Sequence, residues 1–275
     1  SVTSYLILFC VLFFALYPAP FNLGNDFPRN LPWIVQTAIS SAKNPTISSS
    51  DWYETVQWLK NNTPDPGIDY YSFYGGPGVD KNTGKIIPFF YPEQAYGIMA
   101  PWGVGHMITY YSHRIPISNP FQEGIGLKKD GKVTELGEGV FFLENDEIKA
   151  TQYLDKLRAK YVVIDDTYSN SAGGFQSYAK WVQGNIDDYL NDKSVPNKFD
   201  TAMSTKLYYF DGSRTKIRGG TDTVQEFYVQ ALNHFRLVFE SKNTILLAVN
   251  DYYKPFNAVK VFEYVKGAKI KGIGW

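Results

Sequence analysis

The sequence is short of cysteine, of net charge and of clustered metal ligands. A single cysteine, Cys10, among 275 residues forms no disulfide within the chain and supplies no cysteine-based zinc site. The 27 basic residues balance the 27 acidic ones and the pI is near 6.8. The electrostatic footprint of a nucleic-acid binder is therefore missing. His106, His113 and His234 are scattered without ligand spacing, which argues against a metal site. No Asp-x-Asp pair occurs. Charged residues reach only 20% against 44% hydrophobic, a balance that excludes the disordered class. What the chain has in quantity is aromatic side chains, with 6 Trp, 21 Tyr and 19 Phe.

From Tyr5 to Tyr17 runs YLILFCVLFFALY, and no charge appears before Asp26. At about 1.5 Å of rise per residue, a helix over Val2–Phe21 is long enough to cross a hydrocarbon core of about 30 Å. Pro18 and Pro20 would end it, and Tyr17 suits a headgroup interface. A membrane helix is the expectation. A signal-peptide core lacks its basic flank here, and an apolar packing helix is a further alternative. Within any of these Cys10 reads as a small apolar residue.

Beyond it the expected class is α+β, a mixed helix-and-strand body with a strand-rich C-terminal third. Residues 1–24 read as an anchor or packing helix, 25–50 as a linker with a short helix at Leu31–Ser40, and 51–275 as a globular extracytoplasmic domain, with a subdivision near 200 as an option. Asp51 with Glu54 reads as a capping pair, and Trp52, Val56 and Leu59 fall on one helical face. Asn61-Asn62-Thr63-Pro64-Asp65-Pro66-Gly67 stops that helix. A short strand at Tyr96–Ala100, helices at Asp146–Lys160 and Phe175–Leu190, and a buried strand at Tyr161–Ile164 are expected. Further strands are expected at Lys206–Phe210, Arg236–Glu240, Thr244–Val249 and Val259–Val265, with Gly267 and Gly272 as turn residues.

Several stretches invite a functional reading. Tyr74–Gly78 is glycine-rich but lacks the Lys-Ser/Thr of a phosphate loop and reads as a turn. Asp165-Asp166 ends a strand, where catalytic carboxylates and plain solvent-facing ones both occur. Asn61-Asn62-Thr63 is an N-glycosylation sequon. Ala100-Pro101-Trp102-Gly103-Val104-Gly105-His106 is the most unusual stretch. Its glycines permit close approach and its Trp can wall a pocket, so it is the binding-loop candidate.

Taken in order, Asp51–Gly67, Tyr96–Gln122, Tyr161–Asp165, Leu207–Gly212, His234–Ser241 and Val259–Gly267 resemble the C-terminal domain, with its last membrane helix, of the archaeal oligosaccharyltransferase catalytic subunit. That family N-glycosylates sequons. The resemblance implies a peptide-binding turn after YGIM, where the family carries Trp-Trp-Asp-Tyr-Gly against the Ser or Thr of the sequon. Here the positions are Pro101, Trp102, Gly103, Val104 and Gly105, with His106 following. One Trp and the closing Gly match; the first Trp, the Asp and the Tyr do not. A hydroxyl buried without its partner loses on the order of 1–3 kcal/mol, so hydroxyl-directed binding is expected to weaken roughly ten- to a hundred-fold. The second implied pocket element follows YVVID, where Gly174 stands at a Lys position and Tyr178 at an apolar one.

The resemblance also implies Mn or Mg and a lipid-linked oligosaccharide, but only for the complete enzymes. Their catalytic carboxylates lie between earlier membrane helices, and no equivalent stands in these residues. Glu144-Asn145-Asp146 comes nearest and reads as a helix cap. The chain by itself is not expected to bind these cofactors or to transfer a glycan. Two functions follow. One is sequon recognition for a membrane oligosaccharyltransferase, with an acceptor polypeptide as partner. The other is a non-catalytic, single-anchor scaffold assembling with copies of itself outside the cell, the membrane engaged through residues 2–21 in both.

Overall fold

The computed structural model describes Tyr5 and residues 50–70, 80–84, 91–169, 174–184, 187–190, 192, 194–217, 226–249 and 252–267. The chain divides into two compact units, Ser1–Ser50 and Asp51–Trp275, and the elements below belong to the second, Ser50 apart. The apolar run Tyr5–Tyr17 with Cys10, the linker, the helix at Leu31–Ser40, the Tyr74–Gly78 turn and Gly272 lie outside the described residues, Tyr5 and Ser50 excepted. No helix among the described residues is long and apolar enough to cross a membrane.

The centre is a mixed five-stranded sheet in the order β2-β1-β5-β11-β8. Its strands are β1 (Gly97–Met99), β2 (Ile115–Pro116), β5 (Ala159–Asp165), β8 (Phe235–Glu240) and β11 (Val259–Tyr264). β1 runs parallel to β2 and β5, while β11 is antiparallel to both β5 and β8. The run Tyr161-Val162-Val163-Ile164 is buried throughout because both sheet faces are covered, which is why it shows no polar alternation. Val162 and Ile164 pack with Met99 and Phe262 on one face; Tyr161 and Val163 pack with Ile98 and Val261 on the other. That split is the two-residue period of a strand.

Helix α1 (Ser50–Asn62) covers the second face with Trp52, Val56 and Leu59, the stripe read from its sequence. The expected cap differs. Asp51 lies inside the helix and accepts from Asn243 N and Nδ2, both at 3.2 Å, while Glu54 accepts from Lys242 N at 3.1 Å. Both carboxylates therefore hold the turn after β8. On the opposite face lie Phe141 and Phe142 of α2 (Glu138–Phe142), Leu154 of α3 (Glu147–Lys156), and Met203 and Leu207 of α8 (Met203–Tyr208).

Two hairpin-like pairs, β3 (Leu127–Lys129) with β4 (Lys132–Glu135) and β9 (Thr244–Val249) with β10 (Tyr252–Asn257), stand apart from the main sheet, as does the pair β6 (Thr215–Ile217) with β7 (Phe227–Val229). Short helices α4 (Asp166–Ser169), α6 (Asp187–Leu190) and α7 (Lys198–Thr201) fill connections, and α5 (Gly174–Gln183) packs against α2.

The strand expected at Lys206–Phe210 is instead the end of α8. Met203, Leu207 and Tyr208 bury one helical stripe, and tertiary packing overrides the local β preference of the two tyrosines. Asp146 caps α3 as read, accepting from Ile148 N and Lys149 N. That helix stops at Lys156 rather than Lys160 because Arg158 takes a left-handed φ of 52° and Ala159 joins β5. The helix expected at Phe175–Leu190 breaks at Gly184, whose φ is 72°.

Candidate functional site

The turn after β1 holds the residues read above as a binding-loop candidate. Pro101 leads into a 3-10 turn, Trp102–Val104, then an α-helical turn at Gly105–Met107 and a π-helical stretch at Ile108–Ser112. Such irregular helix recurs at functional sites. His113, left-handed with φ 53°, ends it. Pro101 and Val104 are buried, Val104 among Trp52, Ile98 and Ile108, while Gly103 and His106 are exposed. The inward residues anchor the turn and the outward ones present it.

Gly105 is required by proximity. A Cβ there would fall on the carbonyl of Ser118 and within 2.8 Å of Asn119 Cα. Ser118 itself donates to Ala100 O at 3.0 Å, so residues 118–119 brace the turn from behind. The same segment carries Phe121, an exposed ring set edge-on against His106 with centroids 5.1 Å apart.

The second implied element, Tyr178 on α5, meets the turn through a residue that no sequence argument singled out. Glu138, the first residue of α2, is fully buried. Its Oε1 accepts the Trp102 backbone N–H at 2.9 Å, and the Tyr178 hydroxyl donates to its two oxygens at 2.8 and 2.7 Å. Burial pushes the Glu138 carboxyl well above the usual carboxylate range; the bonds from Tyr178 and Trp102 oppose the rise, and the nearby Asp165 charge adds to it. Trp102 is half-buried against this cluster, and its ring meets that of Trp181 edge-on at 5.7 Å. Trp181 is exposed and follows Tyr178 by one helical turn.

The approach of α2 to α5 depends on a second glycine. A Cβ on Gly139 would lie 2.6 Å from Val182 Cγ2 and 3.1 Å from Tyr178 Cδ1. The surface that results is aromatic, formed by Trp102, Trp181, His106 and Phe121 around exposed Gly103. It can offer apolar faces and ring edges to an extended chain, but no carboxylate of the turn itself. Trp181 was findable from its helical spacing to Tyr178. Glu138 carried no such signal, being one acidic residue in the glycine-flanked stretch Gly137-Glu138-Gly139.

The other residues read as candidates have separate surroundings. Asp165 Oδ2 accepts from Trp52 Nε1 at 2.9 Å, binding β5 to α1. His113 stacks on Tyr70 at 5.5 Å, and His234 Nδ1 lies 2.9 Å from Glu147 Oε1. Asn61 is exposed near the end of α1, while Thr63 of the same sequon is buried. Among the described residues no group of three or more His, Cys, Asp or Glu is placed to hold a metal ion.

Comparison with known proteins finds similar sequences and folds. Residues 49–169 match the AglB core-like family model, described as the AglB core domain. The chain is 29% identical over 224 residues to dolichyl-phosphooligosaccharide-protein glycotransferase 3 of Archaeoglobus fulgidus, covering 70% of this chain and 23% of that protein. It is also 29% identical over 161 residues to the dolichyl-monophosphooligosaccharide-protein glycotransferase AglB of Haloferax volcanii, covering 53% and 13%. It thus spans under a quarter of either relative.

In fold it is similar to the Archaeoglobus fulgidus oligosaccharyltransferase solved with a tethered acceptor peptide containing the NVT sequon, with a TM-score of 0.59 at 23% identity, covering 94% of this chain and 40% of that one. The same holds for AglB from that organism with an inhibitory peptide and a dolichol-phosphate, at a TM-score of 0.59 over 97% of this chain and 39% of that one. In sequence and in fold the chain is thus similar to part of the archaeal oligosaccharyltransferases of the AglB kind, the AglB core-like match lying over residues 49–169.

Proposed function

We propose that this chain is the acceptor-recognition portion of a membrane oligosaccharyltransferase. It holds a polypeptide in extended form beside the Trp102 turn, and the transfer chemistry belongs to a multispan portion outside these 275 residues. In this reading the body lies on the extracytoplasmic side, with residues 2–21 as its membrane attachment. One observation carries the proposal: Trp102 and Tyr178, from segments far apart in sequence, meet on the Glu138 carboxylate behind an exposed aromatic surface. Support comes from the related fold that holds an NVT-containing acceptor peptide.

Gly103 stands where the family resemblance places an Asp, so binding leans on aromatic contact more than on the hydroxyl. Fluorescence anisotropy with labelled peptides carrying Asn-Val-Thr or Asn-Val-Ala tests this. Binding of both, with a preference for Thr below about tenfold and loss of both in Trp102→Ala, is the expected result. Affinity unchanged by Trp102→Ala would overturn the assignment of the site.

A further inference from the structure

Glu138 touches no solvent, so it cannot contact a peptide, yet its carboxylate gathers the site together. Its backbone is pinned first, since Glu138 N donates to Gly124 O at 2.9 Å and Gly139 N to Ile125 O at 2.8 Å. Its side chain then accepts from two other elements, the Trp102 amide at 2.9 Å and the Tyr178 hydroxyl at 2.8 and 2.7 Å. The Trp102 amide opens a short helical turn and has no intrahelical acceptor of its own. Pro101, ahead of it, supplies no side-chain cap. A buried carboxylate is thus the fixed acceptor for an otherwise orphaned donor.

We infer that Glu138 is a positioning residue that fixes the Trp102 turn against α5 and so sets the spacing of the Trp102–Trp181 pair. The inference rests on the acceptor-recognition reading for its consequence, though its geometry is independent of it. Trp181 sits three residues after Tyr178 on α5. Holding the Tyr178 hydroxyl and the Trp102 amide on one carboxylate holds the two indole rings at their 5.7 Å edge-on contact. The ligand that profits is a polypeptide segment in extended form, laid over rings whose separation is set before it arrives.

The test uses the full chain with Glu138→Gln, which keeps acceptor oxygen, and Glu138→Leu, which keeps volume and removes both acceptors. Leu154→Ala, on α3 in the core cluster that also holds Phe141 and Phe142, controls for plain loss of stability. Hydrogen exchange at the Trp102 amide is expected to rise by about tenfold or more in Glu138→Leu. It stays within about threefold of wild type in Glu138→Gln and in Leu154→Ala. Affinity for the Asn-Val-Thr peptide follows the same order. If Glu138→Leu does not fold, Tyr178→Phe removes the hydroxyl alone and is expected to raise Trp102 exchange by a smaller factor.

Unchanged Trp102 exchange in Glu138→Leu, or in Tyr178→Phe where that variant stands in, sinks the inference. So does an equal rise in Leu154→Ala. A wild-type chain that binds no peptide refutes the acceptor reading instead, and the exchange data then still decide the role of Glu138.

Discussion

Arg114 reaches across the molecule to Thr63, its Nε donating to Thr63 Oγ1 at 2.7 Å. The same guanidinium donates to Thr63 O at 2.8 Å, and to Lys60 O, Ser112 O and His113 O at 3.0 Å each. One buried cation thereby closes the C-terminal end of α1 and ties it to the end of the irregular helix that begins at Trp102. Arg114→Ala should cost on the order of 3 kcal/mol, because several carbonyls lose their donor together. Arg114→Lys should recover only part, since a point ammonium lacks the planar fork. Urea denaturation of the pair checks this, and an Arg114→Lys variant as stable as wild type would contradict it.

The same contacts bear on the sequon. Thr63 Oγ1 donates to Leu59 O at 2.6 Å and accepts from Tyr96 at 3.0 Å as well as from Arg114. Its hydroxyl is committed inside the fold even though Asn61 is exposed. Modification at Asn61 is expected on the unfolded chain and should drop at least about tenfold once α1 has closed, for an opening cost of about 1.4 kcal/mol or more. Glycan occupancy by mass spectrometry, with folded and denatured chain offered to an active transferase, reads this out. Equal occupancy in both would refute it.

Glu138 gives the stability a pH dependence of known sign. Its carboxyl is raised above the ordinary range by burial, against the bonds from Tyr178 and Trp102 and with the Asp165 charge adding. A group raised in the folded state contributes stability that is full below its unfolded pKa and is lost as pH rises through the folded one. Melting temperatures of wild type and Glu138→Gln between about pH 4 and pH 8 should therefore converge or cross in the direction of wild-type loss as pH rises. A wild-type advantage growing with pH contradicts the buried-carboxyl account.

Gly105→Ala and Gly139→Ala differ in what the new methyl meets. At Gly105 it meets the backbone of Ser118 and Asn119, which cannot yield without moving the turn. At Gly139 it meets chiefly the side chains of Val182 and Tyr178, which can shift slightly, with the Ile125 carbonyl next at 3.2 Å. Both should destabilise by about 1–3 kcal/mol, Gly105→Ala by the larger amount and with loss of peptide affinity. Equilibrium unfolding joined to anisotropy separates the two, and a neutral Gly105→Ala would show that the brace is not needed.

Gly103→Asp restores an acceptor where the family resemblance places one. Gly103 is exposed, so the carboxylate is not forced into the core. The Thr-over-Ala preference of the labelled peptides should increase roughly ten- to a hundred-fold. No change in that ratio would mean that the hydroxyl does not lie near this position.

Much of the fold was legible because it depends on local period. The stripe Trp52, Val56, Leu59 and the run Tyr161–Ile164 state their burial in their spacing, and Asp146 states its cap. The turn at Trp102 was legible through its unusual residues. The Glu138 strut was not, because its partners lie 36 and 40 residues away and an acidic residue between glycines looks like surface. Tyr208 and Tyr209 misled for a related reason. Their β preference is weak beside the packing of Met203 and Leu207 against the sheet. Asp51 and Glu54 had the residue types of a cap, but their acceptors were taken by Lys242 and Asn243 across the fold.

The sheet order places β11, from the end of the chain, between β5 and β8. The segment that matches the AglB core, 49–169, therefore ends with one edge of β5 open and with Val162, Val163 and Ile164 missing the strand that flanks them. The stretch that matches a family model is here not a unit of assembly. During synthesis the middle of the sheet closes only after Val259–Tyr264 has followed Ala159–Asp165, and such long-range closure is slow. Until then the exposed edge of β5 is the place where two nascent chains would stick to one another.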